Sequence, residues 1–231
     1  MKSRATVGTS TVNVFALAQD INWGKVFDTA YELDVSSSST ADATTTGAKT
    51  IVIYGLDKSY VPLAETVTMN GQTVVTTASK FLRVFAAYVV TTGSGSANAG
   101  DIYIVKTGTG GMYTTGVPGT LTSGCIKMIA GDNLGYSGVF TAPKGTIYAM
   151  ESFIPSSRAQ AGTITFIKAS PTETTGAGPF SILKYEVSAG ASLESVHPCF
   201  VLNEKEDIYT KAVCAGAGGI VNITIHLNQV V

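Results

Sequence analysis

The stretch 65–77, ETVTMNGQTVVTT, limits the fold of this chain more than any other. Thr66 and Thr68 alternate with Val67 and Met69, the period-2 pattern of a half-buried strand. Asn70 and Gly71 follow, and both residue types tolerate the positive φ that a type I′ turn requires. QTVV then resumes the strand. The pattern predicts a β-hairpin whose apolar contacts are Val67, Met69, Val74 and Val75.

The rest of the chain extends this reading. Thr, Val, Ile, Tyr and Phe dominate, and Gly-rich punctuation recurs between short apolar segments, the signature of an all-β sandwich or barrel. The 25 Gly and 7 Pro suit many turns. Before the hairpin, YELDVSSSS reads as a strand and loop, and 50–57 (TIVIYGLD) as a strand ending in a turn. After it, 80–90 (KFLRVFAAYVV) reads as a long strand buried on both faces for much of its length. The segment 101–107 (DIYIVKT) is expected to return as its partner.

The Gly/Thr/Pro-rich stretch 107–124 is the candidate boundary. Eight further strand candidates follow: CIKMIA, YSGVF, TIYAMESFI, TITFIKA, FSILKYEV, SLESVHPCFVL, DIYTKAVC and IVNITIHLN. Eight strands with mixed connection lengths suit a jelly roll. The expected architecture is therefore all-β, an antiparallel β-sandwich or jelly roll in two β lobes. An extended N-terminal arm (1–30) precedes a β-sandwich lobe (31–115) and a jelly-roll-like domain (116–231). The arm lacks a clear period, and FALAQDI is its best candidate for a short helix.

Charge narrows the function. Of 231 residues 13% are charged, against a usual share of about 25%, and the formal net charge is −1. So few surface charges favour association with other protein. The 15 basic residues are scattered and include three Arg, at 4, 83 and 158, which argues against nucleic acid. No run of 18 apolar residues spans a membrane, and the start shows no apolar core of a secretory signal. Cys125, Cys199 and Cys214 are odd in number and widely spaced, with apolar neighbours, so buried thiols are expected rather than disulfides or a metal site.

Catalytic constellations are sparse. His197 and His226 sit in no hydrolase motif, and no GxSxG occurs. His197 and Cys199 share a strand face but supply two ligands where zinc needs three or four. Asp132, Glu204, Glu206 and Asp207 read as solvated turns without calcium-loop spacing. Glu151 and Glu186 have no partner in sequence that would make a glycosidase pair. KTGTGG lacks the ending of a phosphate loop. No enzyme, cofactor or metal is expected.

The segment 51–105 carries a combination of motifs: Gly55, Leu56 and Asp57 with Tyr60, the ETVTMNG stretch, LRVF at 82–85, and Asn98 with Gly100, Asp101 and Ile102. Further on come AGDNLGYSGVFTAPKGTIYAM (130–150) and LNEKEDIYTKA (202–212). In this combination the chain resembles a family of tailed-phage virion structural proteins common in marine and freshwater phages. The resemblance covers roughly 45–231 and departs at Ala142, Pro143, Lys144 and Gly145, where the family has Val-Pro-Ala-Gly-Lys. Residues 1–44 match poorly.

The resemblance implies a virion component and carries over no catalytic residue. Together with the low charge it leads to the expectation of a capsid decoration or cement protein. Such a protein is made in the host cytoplasm and seated on the capsid surface. It binds the major capsid protein and copies of itself, as a trimer. Phe15, Leu17, Ile21, Trp23 and Phe27 would anchor the arm, since aromatics dominate interface energies. The alternative is a tail, collar or fibre component that binds host glycans through exposed Tyr or Trp.

Overall fold

Every strand pair is antiparallel, and no helix occurs among the described residues. The computed structural model describes residues 2–7, 12–13, 29–43, 46–121, 124–169, 180–191, 200–216 and 219–231. β-branched and aromatic residues fill the strands, and most of the described Gly fall between them, as pleated half-buried surfaces favour.

In chain order the first strands are β1 (Lys2–Val7), β2 (Val12–Asn13), β3 (Leu33–Ser37), β4 (Ala48–Leu56), β5 (Pro62–Thr68) and β6 (Val75–Thr76). Then come β7 (Arg83–Thr92), β8 (Ile102–Lys106), β9 (Tyr113–Thr114), β10 (Val117–Pro118), β11 (Gly124–Met128) and β12 (Leu134–Tyr136). The last are β13 (Val139–Thr141), β14 (Tyr148–Arg158), β15 (Gly162–Ala169), β16 (Phe180–Val187), β17 (Phe200–Leu202), β18 (Asp207–Cys214) and β19 (Gly219–Gln229). They form two compact units, Ile21–Ser137 and Met1–Asp20 with Gly138–Val231. The division follows Ser137, beyond the stretch 107–124, so β11 and β12 belong with the earlier strands.

Unit Ile21–Ser137 holds two four-stranded sheets, β12-β7-β4-β5 and β11-β8-β3-β6. Here the predicted hairpin fails. β5 pairs along its whole length with β4, from Leu56↔Pro62 to Thr50↔Thr68. β6 pairs with β3 of the other sheet, at Asp34 and Val35. The Asn70 and Gly71 turn thus carries the chain from one sheet to the other. Gly71 takes positive φ (58°) and Asn70 does not, so the turn is not type I′. Nor does β8 return against β7. It lies between β3 and β11, while β7 lies between β4 and β12. The β7 strand is buried at Arg83 and Val84 but 37% exposed at Tyr88 and 54% at Val90, so its second half is not core.

Loop side chains lock the two sheets. Asp42 is fully buried. Its Oδ1 accepts from the amides of Ala48 (2.7 Å) and Ala99 (2.7 Å), and its Oδ2 from Ser37 Oγ (2.6 Å) and the Gly100 amide (2.9 Å). Its backbone carbonyl accepts from the Gly71 amide at 2.6 Å. The stretches around Asn98 and Asn133, far apart in sequence, clasp each other. Each amide donates to the other's Oδ1 at 3.0 Å, and Asn98 Nδ2 donates to the Gly100 and Ile129 carbonyls. In the β4–β5 turn, Asp57 Oδ1 accepts from the Ser59 and Val61 amides, which holds Tyr60 at φ 64°. Gly55 is required where β4 meets β7, because a Cβ there would stand 1.9 Å from the Arg83 carbonyl oxygen.

The other unit holds the sheet β1-β19-β14-β17 and the sheet β13-β18-β15-β16, with β2 on β18. One core draws on both: Met150, Phe153, Val221, Ile223 and Ile225 from the first, Ile164, Phe166, Ile208 and Ala212 from the second. The Phe153 and Phe166 rings lie 4.6 Å apart. The N-terminal residues, expected as an arm, supply a strand to each sheet. β1 runs along β19 from Lys2↔Thr224 to Val7↔Gly219, and β2 meets β18 at Lys211 and Ala212. FALAQDI lies outside the described residues.

Removing the Asp42 carboxyl leaves four donors without their acceptor, three of them in buried bonds. Asp42→Ala should lower the unfolding free energy by about 3 kcal/mol or more. Asp42→Asn should recover only part, because its NH2 must face donors. Urea unfolding of both variants measures this.

Candidate interaction surface

The polar side chains of the fold are largely committed to its own backbone. Asp34 accepts from Thr76 Oγ1 (2.9 Å), Thr107 Oγ1 (3.1 Å) and the Gly108 amide (3.2 Å). Glu65 caps the Ala78 and Ser79 amides at 2.8 and 2.7 Å. Asp101 pairs with Lys127 at 2.7 Å, and Lys168 with Glu206 at 2.7 Å. Burial works against the Asp101 carboxylate, but hydrogen bonds from Lys127 and the Ala130 amide outweigh it and hold the group below its ordinary range. Glu206 also caps the Asn203 amide and Asp207 bonds Thr141 Oγ1, so the acidic turn 203–207 serves the fold. Glu151 accepts from Asn228 Nδ2.

His226 is exposed on β19, as its alternation predicts, and its Nδ1 lies 2.9 Å from Ser152 Oγ on β14. That Ser is 5% exposed, and among the described residues no carboxylate bonds the His226 ring to complete a triad. Among the described residues no group of three or more His, Cys, Asp or Glu is arranged to hold a metal ion. His197 and Cys199 lie outside the described residues, as do all five predicted arm anchors, Phe15, Leu17, Ile21, Trp23 and Phe27.

What the described surface does offer is an aromatic sheet face. Residues directly opposite across an antiparallel pair point to the same side. The registers of β5, β4, β7 and β12 therefore align two rows: Thr66, Val52, Tyr88 and Leu134, and beside it Ala64, Tyr54, Ala86 and Tyr136. Neither row carries a charge. Tyr54 and Tyr88 are 45% and 37% exposed, while Ala86, between the flanking tyrosines, is buried. The rings zigzag edge to face, Tyr54 to Tyr88 at 5.7 Å and Tyr88 to Tyr136 at 6.3 Å. Burial and a hydrogen bond with Tyr136 push the Tyr88 phenol above its ordinary value. Such rings are pre-ordered and amphipathic, suited to contact with another protein surface. Sequence inspection misses this face because Tyr54, Tyr88 and Tyr136 are brought together by register between distant strands.

Comparison with known protein families, curated proteins and solved structures finds no match.

The thiols of Cys125 and Cys214 are buried, as expected. Burial pushes the Cys125 thiol up from 9.0 to about 12. Its contribution to stability is therefore complete below pH 9.0 and lost as pH climbs toward about 12. The Tyr113 phenol, raised by burial and by Asp34 from 10.0 to about 12, acts in the same direction. Unfolding free energy should fall through this alkaline window, and Cys125→Ala should flatten part of the slope.

Proposed function

We propose that this chain is a non-enzymatic structural protein of a tailed-phage virion, a capsid decoration or cement protein. It binds the major capsid lattice as a homo-oligomer and stabilises the shell. The observation that carries the reading is the charge-free tyrosine face. It is partly exposed, with its rings held edge to face, on a chain with few charges to keep it apart from other protein. The motif combination that resembles the phage family supports it. Within this reading each unit is a β-sandwich, and the unit with Gly138–Val231 is jelly-roll-like.

The mechanism is mechanical. A protein that binds the assembled shell and not the dispersed subunits stabilises the shell by mass action. Tyr54, Tyr88 and Tyr136 supply the anchoring area on one unit. Phe15, Leu17, Ile21, Trp23 and Phe27 supply a second hold. Because β1 and β2 are built into sheets, the arm's role is tested by substitution, not by deletion from the N-terminus.

Quantitative gels of purified particles should show on the order of hundreds of copies, as a component that follows capsid symmetry requires. Tens of copies or fewer would instead place the protein in a tail, collar or fibre, where the same tyrosines could stack on host glycans. Tyr88→Lys should remove the protein from particles while leaving it folded, with a loss of stability of about 1–2 kcal/mol for the ring contacts to Tyr54 and Tyr136. Phe15→Ala, Trp23→Ala and Phe27→Ala combined should weaken retention. Unchanged retention of both variants would overturn the proposed docking.

A further inference from the structure

Sheet edges expose unpaired amides and carbonyls that template pairing with another chain, and proteins normally block them with charges, bulges or brevity. Among the described strands that end a sheet, β6, β12, β13 and β17 are short, of two or three residues. β11 carries Lys127 and a register break. β16 carries Lys184 and Glu186 and a break opposite Phe166 and Ile167. β1 carries Lys2 and Arg4. β5 has seven residues and an unbroken register against β4. Its one charge, Glu65, is bound to the Ala78 and Ser79 amides.

The phase of β5 shows which of its groups face outward. Bonds from the Met69 amide to the Lys49 carbonyl and from the Asp57 amide to the Val61 carbonyl bracket the β4–β5 ladder. Hydrogen-bonded pairs alternate in an antiparallel ladder, so residues 63, 65 and 67 bond to β4. The amides and carbonyls of Ala64, Thr66 and Thr68 then point away from the sheet. All three residues are exposed. Pro62 has no amide hydrogen and ends the row.

We infer that β5 pairs with β5 of a second copy, antiparallel about a twofold axis through Thr66. Thr66 exchanges both backbone bonds with its own counterpart, and Ala64 does so with Thr68, for about six new hydrogen bonds. The cross-strand neighbours, Thr with Thr and Ala with Thr, bring no like charges together on the axis. The two sheets become one eight-stranded sheet, and the two tyrosine faces become one. The symmetry is twofold, where the sequence led to a trimer. The pairing stands on this edge alone. A chain that dimerises as described yet is absent from phage particles would remove the proposed function and leave this inference intact.

Sedimentation and light scattering on the full chain, of 23.9 kDa, test it. The wild type should show a mass corresponding to a dimer. Thr66→Pro removes an outward amide and leaves the bonds to β4, so it should weaken dimerisation while the thermal transition of the diluted protein is retained. Thr66→Lys and Thr66→Glu each place like charges on the axis and should weaken it at least about tenfold. An equal mixture of those two variants should restore the dimer, because residue 66 meets its own copy. A monomeric wild type, or Thr66→Lys and Thr66→Glu variants that remain as dimeric alone as the wild type, would overturn the pairing.

Discussion

The buried Asp42 carboxyl holds together the unit on which the aromatic face is built. Its four donors come from the end of β3, the start of β4 and the two residues before Asp101, and its own carbonyl takes the Gly71 amide. β3 and β8 lie in one sheet and β4 in the other. A single residue therefore fixes where the chain enters both sheets, through its carboxyl, and where it crosses between them, through its carbonyl. Substituting Gly47 is correspondingly restricted, since a Cβ would stand 2.0 Å from Asp42 Oδ1. Burial makes the bonds from Ser37, Ala48 and Gly100 hard to replace, because an unmet buried donor loses its hydration.

Strand identity was legible from alternation, and strand partnership was not. The segments around β3, β4, β7 and β8 and all eight candidates after residue 124 contain strands. The Asn70 and Gly71 signal failed because it is local while pairing is a competition. β4 offers β5 seven residues of continuous register, extended by Met69 against Lys49, and Met69 is buried there at 4% exposure. β6 is two residues long. The turn residues then serve a different need, a positive φ at Gly71 beside Thr40 and a donor for Asp42. Sequence reading placed the strongest punctuation correctly and assigned it the wrong geometry.

The motifs at 55–57, 98–102 and 130–133 prove to be scaffold. Gly55 permits the close approach of β4 to Arg83, Asp57 organises the following turn, and Asn98 clasps Asn133 while Asp101 holds the Ala130 amide and Lys127. Two stretches that read as independent, at 98–102 and 130–133, are halves of one hydrogen-bonded clasp. The same use of carboxylates recurs through this unit. Asp34, Asp42, Glu65 and Asp101 each accept from backbone amides.

That allocation connects the face to the edge. With its one charge turned to cap the 78–79 amides, β5 shows threonine and alanine outward, and the rows that begin at Thr66 and Ala64 run without a charge through β4 and β7 to β12. A solvated sheet face would normally alternate charges there. Ala86 sharpens the point: a larger side chain between Tyr54 and Tyr136 would displace the rings from their edge-to-face contacts with Tyr88. In the row Ala64, Tyr54, Ala86 and Tyr136 small and aromatic residues thus alternate across the strands, and Tyr88 of the neighbouring row packs edge to face between the two rings. Such preorganisation lowers the entropy that any contact on this face would cost, which is the physical ground for proposing it as a docking surface.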